Sequence, residues 1–546
     1  MSSMPSEQKG SENVSRGAEF RGRRAAHNSL LVLLGNLVIL IVALVTTPVT
    51  LNRIGIIEFG VWAFANTTIS YITILDPGFG GMISRYGARG RVTGDQYLAA
   101  RICSLGTMVW CGFGALFSPV LILLTPILVG HLGLHTALRT PVTHFIYWSY
   151  ALVFLGSAGS YVSSHLNAVG DQWIATIIDV VSRLVFGTVL IILLSRGWRL
   201  SAIVVATSVQ FFLAYTASFI VVTLRVGWPY ASIRHIESQV WREVRNFSGW
   251  LQLGSILEML TYETDPIVIG TLVGPRSTGL WSISQRLARQ ITYFAYIPQG
   301  TILPALSAAY AANESPSEIR RFYRRANQFV VLTGAFLGGV ILAFGPILLQ
   351  SWLGTTRYFD AGMATVLVAL ALMAGLPRPV TAATIFAMGR VGYGVRAQAL
   401  AFVVNLILTI SLVHPYGLTG VLVGTLVAKI TATAYLLIRF SKLLESGFHA
   451  LIGVWLWPLI GVTAFSAIVG RIGMNLWPLA HQTRLEALTE FGLLGACYAV
   501  IFLVLLRQVN YFSREDLLWV RSALPSVVGR FLGVRVINFL SHTAGS

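Results

Sequence analysis

Apolar runs of about twenty residues, broken by short polar connections, fill the chain from residue 30 to residue 506. A helix of that length rises far enough to cross the hydrocarbon core of a bilayer. The pattern predicts membrane spans over 30–51, 57–78, 99–124, 142–166, 172–195, 201–224, 250–273, 279–299, 327–350, 362–388, 393–413, 417–438, 449–471 and 486–506. The expected fold is an all-α polytopic membrane protein with about fourteen transmembrane helices.

The connections sort by charge. Alternate segments carry Arg16, Arg21, Arg23 and Arg24, then Arg85, Arg89, Arg91 and Arg101, then Arg225, Arg234, Arg242 and Arg245. The series continues with Arg320, Arg321, Arg324 and Arg325, with Arg390 and Arg396, with Arg439 and Lys442, and with Arg507, Arg514, Arg521, Arg530 and Arg535. The segments between them hold one or two cations each: Arg53, Arg139, Arg196 with Arg199, Arg276, Arg357, and Arg471 with Arg484. Cytoplasmic loops collect Arg and Lys, so an even number of spans with both termini in the cytoplasm of a cell (inner) membrane is expected.

Composition agrees. The chain is 55% hydrophobic and 11% charged, with a mean hydropathy of +0.71. A soluble domain carries roughly 25% charged residues. The net charge of +18 would suggest nucleic acid in a soluble protein. Here the cations sit in connecting segments and form no basic folded module, so no nucleic-acid partner is expected. Cys103, Cys111 and Cys497 fall in apolar stretches without metal-ligand spacing and read as small buried hydrophobes. The basic N-terminal tail runs straight into a full-length apolar span, which reads as an uncleaved first helix.

The chain also repeats itself. Gly55, Gly60 and Trp62 follow the first span, and Gly274, Gly279 and Trp281 follow the seventh at an offset of 219 (274 − 55). Ala168-Val169-Gly170 and Ala387-Met388-Gly389 share the offset. Six spans separate the copies, so the repeats should run parallel, about an axis along the membrane normal. The expected organisation is a basic cytoplasmic tail (1–27), a six-helix lobe (28–226), a cytoplasmic linker (227–248), a second six-helix lobe (249–440), two additional helices (441–507) and a cytoplasmic amphipathic tail (508–546). The lobes should enclose a central cavity. The linker and the tail mix basic and apolar residues and read equally as interfacial helices or solvated connectors.

Several residues carry a family resemblance. Ile54-Gly55-Ile56-Ile57-Glu58-Phe59-Gly60-Val61-Trp62, followed by Ile74-Leu75-Asp76-Pro77-Gly78-Phe79-Gly80, resembles the N-terminal signature of Wzx-type polysaccharide flippases. Asn167-Ala168-Val169-Gly170 and Tyr416-Gly417-Leu418-Thr419-Gly420 are similar to later landmarks of those proteins. Their superfamily also holds the multidrug and toxin exporters and the lipid II flippase. The resemblance covers most of residues 28–440 and rests on structural glycines and helix ends. It implies movement of an undecaprenyl-diphosphate-linked oligosaccharide to the outer leaflet, for exopolysaccharide, capsule or O-antigen assembly. It also implies work alongside a polysaccharide polymerase and export machinery.

Charges inside spans are costly and mark function by default. Asp179 and Arg183 lie at i,i+4 in span five; they are read either as a self-neutralised pair that pins the helix or as part of the coupling and binding machinery. In span seven, Glu258, Tyr262 and Asp265 share one helical face, Glu263 lies off it, and Pro266 weakens the ladder. Glu258 and Asp265 are candidates for a coupling proton or sodium ion; the alternative is that Asp265 is hydrated near a helix end. Arg286 and Arg289 in span eight, with Tyr293 and Tyr296 continuing their stripe, suit a diphosphate and its sugars, because guanidinium is a permanent fork-shaped donor. They suit equally the neutralisation of the span-seven acids. Arg378, between Pro377 and Pro379, marks a kink carrying a charge and is a further candidate for substrate binding. Lys429 is a lone cation in span twelve.

No Gly-rich nucleotide loop, metal cluster or cofactor motif is present in the sequence, so neither ATP hydrolysis nor a cofactor is expected. The outward connections are short, which opposes an enzyme such as a polymerase or membrane glycosyltransferase. A multidrug or organic-cation exporter of the same fold is the alternative function; such a site favours acids and aromatics without an arginine pair.

Overall fold

The computed structural model describes residues 6–512 and 516, except 74–78, 81, 85, 88–94, 96, 133, 135, 170, 236–252, 255, 262, 297–314, 356, 359, 389, 391 and 477–483. Most of the linker, most of the C-terminal tail, Tyr262, and the repeat glycines Gly170 and Gly389 therefore lie outside the described residues.

Helices make up the described regular structure. α1 runs over Ser6–Thr73 and is interrupted at Gly55, where φ is 81° and ψ is 169°. α2 (Leu98–His131), α3 (Thr136–Val169), α4 (Gln172–Ser195) and α5 (Arg199–Arg225) follow. The helical residues 253–254, 256–261 and 263–268 are labelled α6, which widens into a π-turn over Ile269–Val273, just after Pro266. Then come α7 (Pro275–Ala295), α8 (Pro316–Leu353), α9 (Ala361–Gly375) and α10 (Arg378–Ala387). α11 (Gly392–Leu443) breaks at Gly417; α12 (Val454–Leu476) is preceded by a π-turn at His449–Gly453, and α13 (Arg484–Gln508) closes the series. With α1 and α11 counted as two segments each, and α9 with α10 as one broken span, these helices make fourteen segments, and residues 79–80, 82–84 and 86–87 are helical besides. Among them nine helices are long and apolar enough to cross a membrane. The protein is a multi-pass, all-α membrane protein.

Local chemistry explains how these helices form. Hydroxyls inside the spans return to the carbonyl of the preceding turn, as in Thr46 to Val42 at 2.8 Å and Thr125 to Leu121 at 2.6 Å. That satisfies a polar group where no water is at hand. Ser315 caps α8, its hydroxyl accepting the Glu318 N–H at 3.3 Å, with Pro316 in the first turn. The Pro377-Arg378-Pro379 segment ends α9 and starts α10, which is the kink its prolines predict.

The chain divides into two compact units, Met1–Gly249 and Trp250–Ser546. In the first, α3 packs on α5 and α2, and α4 packs on α1 and α5. In the second, α9 packs on α7, α8 and α11. The last two helices, α12 and α13, dock onto α8 of this second unit. Phe336 and Phe344 of α8 meet Tyr498 of α13 at 5.7 and 6.1 Å, and the Tyr498 hydroxyl donates to the Phe336 carbonyl. Gly339 lies beneath that hydroxyl, where a Cβ would collide with it.

Candidate functional site

α7 begins directly after Gly274, with Pro275 in its first turn. Its first half is packed: Thr278, Gly279, Leu280, Trp281, Ser282, Ile283 and Ser284 are buried. Arg286, Arg289, Tyr293 and Tyr296 follow at steps of three and four residues, so one stripe of the helix carries all four. Arg286 is half-buried, Arg289 is exposed, and the two guanidiniums act on each other as like charges. The Tyr293 hydroxyl is buried without a hydrogen-bond partner. The backbone carbonyls of Arg286 and Arg289 are engaged by the side chains of Gln290 and Thr292. Two adjacent cations above two ring-bearing residues concentrate positive potential at one place, an arrangement that favours a dianion.

The acids of span seven part company. Glu258 is exposed, whereas Asp265 is only 1% exposed. Two side chains of α11 hold the Asp265 carboxylate from either side of the Gly417 break. Asn405 Nδ2 donates to Oδ1 at 3.3 Å, and the Thr425 hydroxyl donates to Oδ2 at 2.5 Å. Asn405 Nδ2 also reaches Thr425 Oγ1 at 3.1 Å. Lys429, one turn beyond Thr425 and 3% exposed, acts electrostatically on the carboxylate, as does Glu263. Asn405 Oδ1 and Thr409 Oγ1 are buried without partners beside this group. Asp265 is thus enclosed rather than hydrated at a helix end.

Asn405 and Thr425 escaped the reading of the sequence. A lone Asn inside the apolar run of 401–410 is a usable signal for a polar contact within a span. Thr425 gives none, because a threonine in a membrane helix ordinarily bonds to its own backbone.

Arg183 and Asp179 lie in the first unit, on α4. They act on each other electrostatically and are both exposed. By helical geometry they lie about 100–160° around the helix from Ile177, Val181 and Leu184, the exposed apolar stripe of the same helix. Arg378 stands at the α9–α10 break and donates through Nη2 to Gln398 Oε1 of α11, while its Nε is buried without a partner. Among the described residues no group of His, Cys, Asp and Glu has the makings of a metal site.

Comparison with known proteins gives the fold its relatives. The lipid II flippase MurJ, in an inward closed conformation, superposes with a TM-score of 0.63 at 12% identity, over 87% of this chain and 98% of that one. A mutant of the Vibrio cholerae MATE transporter VcmN gives a TM-score of 0.58 at 19% identity, over 78% of this chain and 97% of its own. An inward-facing multidrug resistance MATE family transporter of the MOP superfamily gives 0.58 at 15% identity, over 77% and 99%. At these identities the likeness is one of fold, and it is the fold the sequence resemblance implies. No curated protein sequence matches the chain. Residues 25–309, just over half of the chain, match the family described as Polysaccharide biosynthesis protein, and the chain belongs to that family.

Proposed function

We propose that this protein translocates a polyprenyl-diphosphate-linked oligosaccharide across the cytoplasmic membrane by alternating access, for exopolysaccharide, capsule or O-antigen assembly. The observation that carries the reading is the stripe of Arg286, Arg289, Tyr293 and Tyr296 on α7. Guanidiniums bind diphosphate oxygens through parallel N–H donors, and the tyrosines below offer rings to sugars. Arg183, in the first unit, is a weaker candidate for substrate binding, since Asp179 partly neutralises it. Membership in the polysaccharide biosynthesis family supports a glycan cargo, and a fold shared with a lipid II flippase supports a lipid carrier.

Asp265, with Asn405, Thr425 and Lys429, is the candidate for coupling to a proton or cation. Of Glu258 and Asp265 it is the buried acid, and its unpartnered neighbours Asn405 Oδ1 and Thr409 Oγ1 are oxygen acceptors. Glu258 is a weaker candidate because it is exposed and not enclosed by partners as Asp265 is. The membrane potential also favours export of an anion, by about 2.3 kcal/mol per elementary charge per 100 mV.

Reconstitution in vesicles tests the proposal. A fluorescent polyprenyl-diphosphate oligosaccharide should become accessible on the far leaflet only with protein present, and a polyprenyl-linked sugar lacking the diphosphate should not. Transport of organic cations together with indifference to the diphosphate lipid would overturn it in favour of a drug exporter.

A further inference from the structure

The chain does not leave the first unit directly after α5. Arg225, at the end of α5, pairs with Asp171 at 3.0 Å and lies over the Trp173 ring at 6.0 Å, which fixes that helix end against the start of α4. Gly227 follows with φ 110° and no atom within 4 Å of where a Cβ would stand. Glycine adopts that positive φ at no steric cost, and the turn it makes carries the chain back onto the unit.

Residues 228–235 then lie across α2, α3 and α5 at one end of that unit. The Trp228 ring meets Phe219 of α5 edge-on at 5.1 Å. Pro229 is buried, and its carbonyl faces the ring of His165, near the end of α3. Tyr230 is half-buried, with its hydroxyl beside Tyr215 of α5 and Thr107 of α2. The Ala231 N–H donates to Ser104 Oγ of α2 at 2.9 Å. A 3-10 turn at Ile233–His235 packs on the same helix. The segment is a strap over three helices, and by the alternation of loop charges it lies at the inward end of the lobe.

The docked strap leaves polar atoms unsatisfied beneath it. Thr107 Oγ1, beside Tyr230, and His165 Nε2, on the ring that Pro229 faces, are both buried without a hydrogen-bond partner. A buried polar atom in that state carries its desolvation cost, and water removes the cost once the cover lifts. The hold of the strap is also thin, since Val226, Gly227, Trp228, Ser232 and Arg234 are exposed. Segments with few buried contacts open at low free energy. A strained hinge-side glycine, a thin hold and unsatisfied groups underneath all belong to a cover that has two positions.

From this we infer that residues 228–235 are a hinged latch, which ties the inward ends of α2, α3 and α5 together when docked and must lift about Gly227 during each transport cycle. Lifting frees those helix ends to part and gives Ser104, Thr107 and His165 to water. The role of the latch rests on the alternating-access reading, and the test separates the two.

Two measurements use the full chain with Cys103, Cys111 and Cys497 changed to alanine. In the first, Thr107→Cys puts a thiol under the strap, and the purified protein is exposed to a water-soluble maleimide. The thiol should react slowly but to completion. Adding Tyr230→Ala should speed the reaction about tenfold, the factor by which one lost contact shifts a docking equilibrium. A thiol that never reacts under the intact strap, or equal rates in the two proteins, would overturn the inference whether or not the protein transports. In the second, Ser104→Cys with Ala231→Cys allows a disulfide across the strap contact, and one sample is compared before and after reduction in reconstituted vesicles. The oxidised protein should not translocate a fluorescent polyprenyl-diphosphate oligosaccharide, and reduction should restore translocation. Equal rates from the oxidised and reduced protein would overturn the latch. No translocation by the unmodified protein would instead overturn the transport reading, and the maleimide rates would still report whether the strap lifts.

Discussion

Gly55 and Gly274 stand 219 residues apart and hold the same backbone conformation, with φ 81° and ψ 169° at the first and φ 115° and ψ 167° at the second. Positive φ with extended ψ is a region that only glycine occupies without strain. Each glycine stops one helix and lets the next start at once. The sequence repeat is therefore also a repeat of backbone geometry at the point where it is hardest to substitute.

No atom lies within 4 Å of a Cβ built at either position, so strain alone decides what alanine does there. Gly55→Ala and Gly274→Ala should each cost about 1–3 kcal/mol. The thermal unfolding midpoint of the purified protein should fall by several degrees in both. Gly112→Ala, inside α2 with equally open surroundings and no positive φ, is the contrast and should hold or raise the midpoint. Unaltered midpoints in the two junction variants would show that the backbone there is not strained.

Much of the helix pattern was legible in the apolar runs. Span five was expected at 172–195, and α4 covers Gln172–Ser195. The segment through Pro377 and Pro379 was expected to kink, and it divides into α9 and α10. The grouping of charges was legible only where partners lie on one helix, as with Arg286 and Arg289. Asp265 meets Asn405 and Thr425 over separations of 140 and 160 residues. Glu58 meets Arg199 over 141. Helical periodicity says which face a residue is on and nothing about which distant helix covers that face. For the same reason Glu258 and Asp265 read as one pair, although one is exposed and the other enclosed.

Asp265 and Lys429 make a buried pair of opposite charges, 1% and 3% exposed. Asp265→Asn removes a carboxylate that opposes the buried Lys429 ammonium and accepts from Asn405 and Thr425, and should destabilise the protein. Its membrane abundance and thermal midpoint should fall well below those of Glu258→Gln, which changes an exposed acid. Adding Lys429→Met to Asp265→Asn should restore much of the loss, because the double change removes both charges together. That stable double variant should transport without dependence on an ion gradient, if Asp265 is the coupling group. Retained gradient dependence would return Asp265 to a structural role.

Topology follows from the alternation of Arg-rich and Arg-poor connections. Alkaline phosphatase fused after Gly545 should be inactive, and a fusion at Arg139 should be active. Strong activity at Gly545 would mean an odd number of spans.

The central claim is that Arg286 and Arg289 bind the diphosphate of a lipid-linked cargo. In reconstituted vesicles, changing either to Ala should remove about 1.5–3 kcal/mol of binding, an affinity loss of about tenfold to a hundredfold. Lys should rescue only in part, since it presents a point charge in place of a fork. Arg183→Ala should have a smaller effect, because Asp179 already neutralises that cation. The most direct measurement is translocation of a fluorescent polyprenyl-diphosphate oligosaccharide by the Arg286→Glu, Arg289→Glu double variant, with equal protein incorporation verified. The account predicts no translocation above protein-free vesicles. Translocation at the unmodified rate by that variant would contradict it.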